Sequence, residues 1–317
     1  MTTTTNSPAS TPRPPAAAGT SLAPRRRPGK QPAPSRTGYW FLAPYLFFFA
    51  VFLVWPIIYG LWMSLTNRSL VNDESSFAGF ANYSEALTDP QMWSSLGNTL
   101  FFTVISSVPL ILVSFAMAYL VYTGLKGQWL WRLTFFAPFL LPVSVVTAIW
   151  AFLFTNDFGL INGLLDRFGI SQVGWLSDEQ VAMWSIALVT LWWTVGFNFL
   201  LYLSALQNIP DHLYEAAQLD GAGTWRRLFS ITLPMMKSTT GLIVLLQALA
   251  SLKVFDQIFL LTAGGPNGAT RSILQYIYDA GFTGYRLGYA SATSYIFFAL
   301  IVLVSLVQMW FAKRKDS

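Results

Sequence analysis

Long apolar stretches separated by shorter polar ones make up most of this chain. A helix needs about 20 apolar residues to cross roughly 30 Å of hydrocarbon at about 1.5 Å per residue. Six stretches qualify, at approximately 40–65, 100–122, 131–154, 181–206, 240–261 and 289–311. Within the second, Thr103, Ser107 and Ser114 share a helix face, a pattern of small polar residues suited to helix contact. In the third, Pro138 and Pro142 fall one turn apart and predict a kink. The freed carbonyls need partners on neighbouring helices, so this span is expected inside the bundle.

The fourth stretch carries Thr190, Thr194, Asn198 and Tyr202 at every fourth position, one polar stripe on a helix otherwise lined by Leu, Trp, Val and Phe. Polar groups in hydrocarbon must find partners, so the stripe faces either protein or an aqueous cavity. Interhelical contact and the lining of a translocation path are both open readings, with Trp192 and Trp193 nearby. The fifth stretch places Gln247 and Ser251 one turn apart, then Lys253 and Asp256 at i and i+3. Opposite charges at that spacing on one helix neutralise each other at membrane depth, as a structural ion pair or as ligand contacts.

Composition agrees with a bilayer protein: 54% of the 317 residues are hydrophobic and 10% are charged, which disfavours a soluble protein of this length. The expectation is an all-α integral membrane protein with six transmembrane helices. An even number of spans puts both termini on one side. Fourteen of the 19 Lys and Arg fall on the side that holds the termini, four on the other and Lys253 inside a span, so both termini are expected in the cytoplasm. The net charge of +5 is therefore a topology signal, and no nucleic-acid partner is expected.

Residues 1–38, with eight of the 17 prolines and the Arg25-Arg26-Arg27 cluster, cannot bury enough apolar surface to fold and are expected to be a basic cytoplasmic tail near lipid. The membrane domain then covers 39–312, with a polar loop at about 207–238, and 313–317 form a second short cytoplasmic tail. On the opposite side, Phe77 to Tyr83 predicts an aromatic turn, Gly97-Asn98-Thr99 a helix cap, and Gly159 to Leu165 an amphipathic surface helix. Gly264-Gly265-Pro266 reads as a helix stop and tight turn. With no cysteine there are no disulfides or thiolate metal sites, no metal ligands are expected, and His212 is expected to face water. No P-loop pattern is present, so any ATP-driven process needs another chain to bind ATP. Nothing suggests a catalytic residue.

The loop holds Glu215-Ala216-Ala217-Gln218-Leu219-Asp220-Gly221-Ala222-Gly223, followed after an interval by Leu233-Pro234. The Ala-rich run favours helix, Gly221 and Gly223 break it, and a second short helix follows. These residues resemble the "EAA" loop of the inner-membrane permeases of binding-protein-dependent ABC importers. The segments Phe77 to Tyr83, Gly97-Asn98-Thr99, Gly159 to Leu165 and Phe255 to Pro266 are similar to the carbohydrate-uptake branch of that family, and the last to the maltose-type first permease. The resemblance implies the type I permease fold of an ABC importer and a sugar or oligosaccharide delivered by an extracytoplasmic binding protein. A second homologous permease and two ATPase subunits holding ATP and Mg are the implied partners. It also implies that Glu215, Ala216, Ala217, Asp220, Gly221, Ala222, Leu233 and Pro234 dock with an ATPase. Under that scheme Trp193, Thr194, Asn198, Tyr202, Gln247, Ser251, Lys253 and Asp256 are candidates for the substrate path. A glycerol-phosphate-type substrate is the alternative, and a secondary transporter is the rival class, which is expected to show an internal repeat.

Overall fold

In the computed structural model of the protein, the structure describes residues 2–3, 36–71 and 75–314. The tail expected over 1–38 lies outside the described residues apart from 2–3 and the start of a helix at Arg36, and Lys315 to Ser317 also lie outside them.

The chain divides into two units, residues 1–54 and 55–317. The first contains α1 (Arg36–Phe49) and a π turn over Ala50–Val54. Along α1 the rings of Tyr45 and Phe49 stack at 6.0 Å, and its large apolar side chains are exposed. By length and composition, the 25-residue stretch Trp40–Ser64 suffices for one membrane span.

The second unit contains α2 (Trp55–Ser64), α3 (Ala81–Thr88), α4 (Pro90–Tyr122), α5 (Gln128–Phe136), α6 (Val143–Leu153), α7 (Leu160–Arg167), α8 (Ala182–Gln207), α9 (Asp211–Leu219), α10 (Thr224–Arg227), α11 (Leu233–Met235), α12 (Lys237–Leu252), α13 (Asp256–Thr262), α14 (Ile273–Tyr278) and α15 (Leu287–Arg314). Among the described residues, four helices are long and apolar enough to cross a membrane, and the count reaches six if each of two bent helix pairs is one span. The protein is thus an all-α membrane protein, and five of the six expected stretches fall on these helices, while the fifth, 240–261, runs past the end of α12 at Leu252 into α13.

The longest described helix, α4, packs chiefly against α8 and next against α12, which also meets α8. Its 33 residues extend about 50 Å, well beyond the hydrocarbon thickness. It starts ten residues before the expected position because Asp89 caps it, accepting a hydrogen bond from the Gln91 N–H at 2.7 Å, and Pro90 occupies the first helical position. Gly97-Asn98-Thr99 is consequently not a cap but lies inside α4. There the Asn98 amide donates to the carbonyls of Gly268 and Arg271, and the Thr99 hydroxyl accepts from the Ile273 N–H, fastening the 264–273 turn to the helix.

The third stretch breaks more sharply than a kink. A 3₁₀ turn over Ala137–Leu140 and the extended Leu141 and Pro142 separate α5 from α6 at a 95° bend. As expected from the freed carbonyls, a neighbouring helix supplies a donor: the Trp193 indole N–H bonds the Leu141 carbonyl at 3.1 Å. On the same helix Gly196 permits the approach of the α5 end, since a Cβ there would sit 2.2 Å from the Phe135 carbonyl oxygen.

The ends of the bundle are held by polar staples. The amide of Asn82 (5% exposed) donates to the carbonyls of Ser64 and Thr66, tying the start of α3 to the end of α2. Asn162 on α7 bonds the backbone of Asn156 and Val173 and accepts from the Trp175 indole, which fixes the expected surface helix. The carboxylate of Asp89 accepts from the hydroxyls of Tyr276 and Tyr289, while Arg286 forks onto Glu85 at 2.8 and 2.6 Å and covers the Tyr289 ring at 4.5 Å. Burial pushes the Asp89 carboxyl up, but the bonds from Tyr276, the Gln91 N–H and Tyr289 outweigh it and hold the group below the ordinary carboxylate range.

Candidate functional site

The polar loop folds as two short helices at the end of the bundle where α4 and α8 finish. α9 begins after Pro210, with Asp211 in its first turn, where a negative charge suits the helix dipole. It ends in a Schellman motif: the Ala222 N–H bonds the Ala217 carbonyl at 2.8 Å and the Gly221 N–H bonds the Gln218 carbonyl at 3.0 Å. The motif demands a left-handed residue, and Gly221 supplies it with φ +73°. The chain then turns through Gly223 into α10, a π turn over Leu228–Thr232, and α11. Leu233 and Pro234 lie in α11, immediately before the 64° bend at Met236 that leads into α12. Pro234 falls at the start of that short helix, where its missing N–H costs no bond.

The two-helix unit is attached to the bundle. Leu213 and Tyr214 of α9 pack on the buried cluster of Leu206, Ile209 and Met236. The Tyr214 ring lies 6.3 Å from that of Tyr122 at the end of α4, and its hydroxyl bonds the Thr232 hydroxyl at 3.0 Å. α9 is thereby in contact with the ends of α4 and α8 and with Met236, which precedes α12.

Its outer surface is open. Glu215, Ala216, Asp220, Gly221 and Pro234 are exposed, and Ala217, Ala222 and Leu233 are half-buried. Leu219 is 90% exposed, and Trp225 and Phe229, stacked at 6.3 Å, are 73% and 61% exposed. Sequence reasoning counted Phe229 as part of the loop motif but passed over Leu219 and Trp225; their signal was present as large apolar residues in a polar segment. His212 is exposed, as expected.

The residues expected along a path are distributed differently. Asn198 donates to the Gln247 carbonyl oxygen at 2.9 Å, Gln247 donates to Ser251 at 3.1 Å, and Ser251 meets the hydroxyls of Ser106 and Ser107 on α4 at 3.1 Å each. This chain joins α8, α12 and α4, and its members are buried. Thr194 bonds back to the Thr190 carbonyl, and the Thr190 hydroxyl accepts from Gln257. Tyr202 is buried with its ring edge-on to Phe115 at 5.4 Å. Trp193 is occupied at the α5–α6 break, and Trp192 packs edge-on against Trp150 at 5.7 Å.

Lys253 and Asp256 are not the helical ion pair expected. α12 stops at Leu252, α13 starts at Asp256, and Phe255 between them has φ −144° and ψ −64°. The i, i+3 geometry requires a continuous helix, so the pair does not form. Both side chains are exposed, and the one ion pair among the described residues is Arg286 with Glu85.

The fold and loop define a transporter permease, and comparison with known proteins names its family. The chain belongs to the binding-protein-dependent transport system inner membrane components, whose family pattern matches residues 99–317. It is 34% identical to a probable ABC transporter permease protein of Bacillus subtilis over 87% of this chain and 95% of the relative. It is 33% identical to the sulfoquinovosyl glycerol transport system permease protein of Agrobacterium fabrum, over 87% and 90%, and 33% identical to the trehalose/maltose transport system permease protein of Thermococcus litoralis, over 87% and 93%. A permease chain in the crystal structure of a bacterial ABC transporter involved in alginate import superposes with a TM-score of 0.78 at 23% identity, covering 88% of this chain and 95% of that one. The protein is a multi-pass inner-membrane subunit of an ABC importer, a transport component and not an enzyme. The secondary-transporter reading is thereby set aside.

Proposed function

We propose that this permease carries a sugar or oligosaccharide, handed to it by an extracytoplasmic binding protein, through a pore shared with a second homologous permease. Two ABC ATPase subunits, holding ATP and Mg, grip the cytoplasmic loops of the two permeases. In this chain α9 and α10 enter the ATPase: Glu215 supplies charge, Ala216, Ala217 and Ala222 allow close approach, and Asp220 and Gly221 make the turn. Leu233 and Pro234 set the bend that passes the motion into α12. The observation that carries the reading is the exposed surface of Leu219, Trp225 and Phe229 on a unit otherwise fastened to the bundle. Apolar surface of this kind marks a protein contact. The trehalose/maltose and sulfoquinovosyl glycerol relatives support a sugar-type substrate.

Thr194, Trp193 and Tyr202 stand beside the buried Asn198–Gln247–Ser251 chain, which fixes the helices that frame the path, and Lys253 and Asp256 are the exposed polar groups adjoining it. A glycerol-phosphate-type substrate is the second reading, favoured by Lys253, exposed and without an ion-pair partner among the described residues.

The chain, tagged and purified in mild detergent from its native cells, is expected to retain a P-loop ATPase and a second six-span permease, identified by mass spectrometry. Calorimetry on the associated binding protein then separates sugar from glycerol phosphate. Recovery of this chain alone, under conditions that keep other membrane complexes intact, contradicts the proposal.

A further inference from the structure

A cleft of about 450 Å³ opens at the junction of α4 with the loop helices, lined by Tyr119 and Tyr122 of α4, Asp211 and Tyr214 of α9, and Thr224 and Arg227 of α10. Its size lies within the range of small-ligand sites. Arg227 and Asp211 both border it, yet they form no ion pair with each other, and the Arg227 Nε is buried with no hydrogen-bond partner. Opposite charges across one cleft, separated by aromatic rings, are complementary to a ligand that carries both signs. A guanidinium is suited to phosphate oxygens, a carboxylate with tyrosine faces is suited to an ammonium group, and threonine and tyrosine hydroxyls serve the ester oxygens. A lone anion is opposed by Asp211 and a lone cation by Arg227. The cleft sits at the C-terminal end of α4, one of the helices long and apolar enough to cross a membrane.

We infer that this cleft binds a phosphoethanolamine group, its phosphate on Arg227 and its ammonium between Asp211 and the tyrosine rings. Bound there, the group braces α9 and α10 against the end of α4, where the Tyr214 ring of α9 already meets that of Tyr122. The inference is independent of which substrate is carried.

The test uses the whole transporter complex, delipidated and exchanged into nanodiscs of phosphatidylethanolamine and phosphatidylglycerol, with retained lipid counted by native mass spectrometry. The wild type is expected to retain phosphatidylethanolamine about tenfold over phosphatidylglycerol, the equivalent of one charge-assisted contact. Asp211→Asn, at an exposed position, is expected to abolish that preference while leaving total retention in place. Arg227→Gln is expected to lower retention of both lipids. Soluble phosphoethanolamine then separates the two sources: displacement of the lipid shows that the free group suffices, and no displacement assigns the site to the membrane lipid. Equal retention of the two lipids by the wild type, or a preference unchanged in Asp211→Asn, overturns the inference. Protection of the cleft by a neutral sugar and not by the headgroup also overturns it.

Discussion

Trp193 donates its indole N–H to the carbonyl oxygen of Leu141, 3.1 Å away, where α5 gives way to α6. Two prolines and a 95° bend leave that carbonyl without a helical donor, and no water in the bilayer core can replace one. Trp193→Phe keeps an aromatic ring and removes the donor. It is expected to cost about 1 kcal/mol, the penalty of leaving a part-buried acceptor unpaired, read as a lower midpoint in thermal unfolding of the detergent-solubilised protein. An unchanged midpoint contradicts the role assigned to this bond.

The polar chain from Asn198 through Gln247 and Ser251 to Ser106 and Ser107 joins three helices. Asn198→Ala, Gln247→Ala and the double variant form a cycle whose coupling energy is expected at about 0.6 kcal/mol, with an upper bound near 1.7. A coupling of zero in a mixed-micelle unfolding titration shows that the two amides do not depend on each other.

The network around Asp89 makes a statement about acid. The folded protein holds this carboxyl below its unfolded value of about 3.9, so the stabilisation it supplies is complete above that pH and is lost as pH falls through the lower folded value. Asp89→Asn is therefore expected to lower the unfolding midpoint at neutral pH and to approach the wild type as pH falls below the unfolded value. A difference between the two that stays constant from pH 7 to pH 3 contradicts this account. The exposed Arg286–Glu85 pair nearby is expected to contribute less than about 1 kcal/mol.

Gly221 makes a prediction of a different kind. A Cβ at this position meets nothing within 4 Å, so substitution disturbs only the left-handed backbone conformation. Gly221→Asn, which tolerates φ +73°, is expected to support ATP-driven uptake close to the wild-type rate, whereas Gly221→Val is expected to lose most of it while remaining in the membrane. Equal uptake by the two variants removes the Schellman turn from the coupling mechanism.

Much of this architecture is written in local patterns. The helix, turn and helix of the loop follow from Ala216, Ala217 and Gly221, because a Schellman end depends on residues only a few positions apart. The stripe through Thr190 and Asn198 was legible as a face needing partners, but whether these were protein or cavity depends on Gln247 and Gln257, distant in sequence. The break after Leu252 was not legible: 252–263 contains no glycine or proline, so the apolar run reads on to 261 and suggests a Lys253–Asp256 pair that the helix end prevents. The early start of α4 carried a local signal in Asp89-Pro90, a cap followed by a first-position proline.

The exposed apolar patch of the loop tests the coupling account most directly. Leu219 is 90% exposed, so Leu219→Asp removes almost no packing within this chain, and any large effect must come from a partner. ATP-driven uptake by the reconstituted complex is the measurement, with the unfolding midpoint of the permease as control. The account predicts an unchanged midpoint, release of the ATPase and a loss of uptake of about tenfold or more. Uptake at the wild-type rate with the ATPase still bound would contradict it.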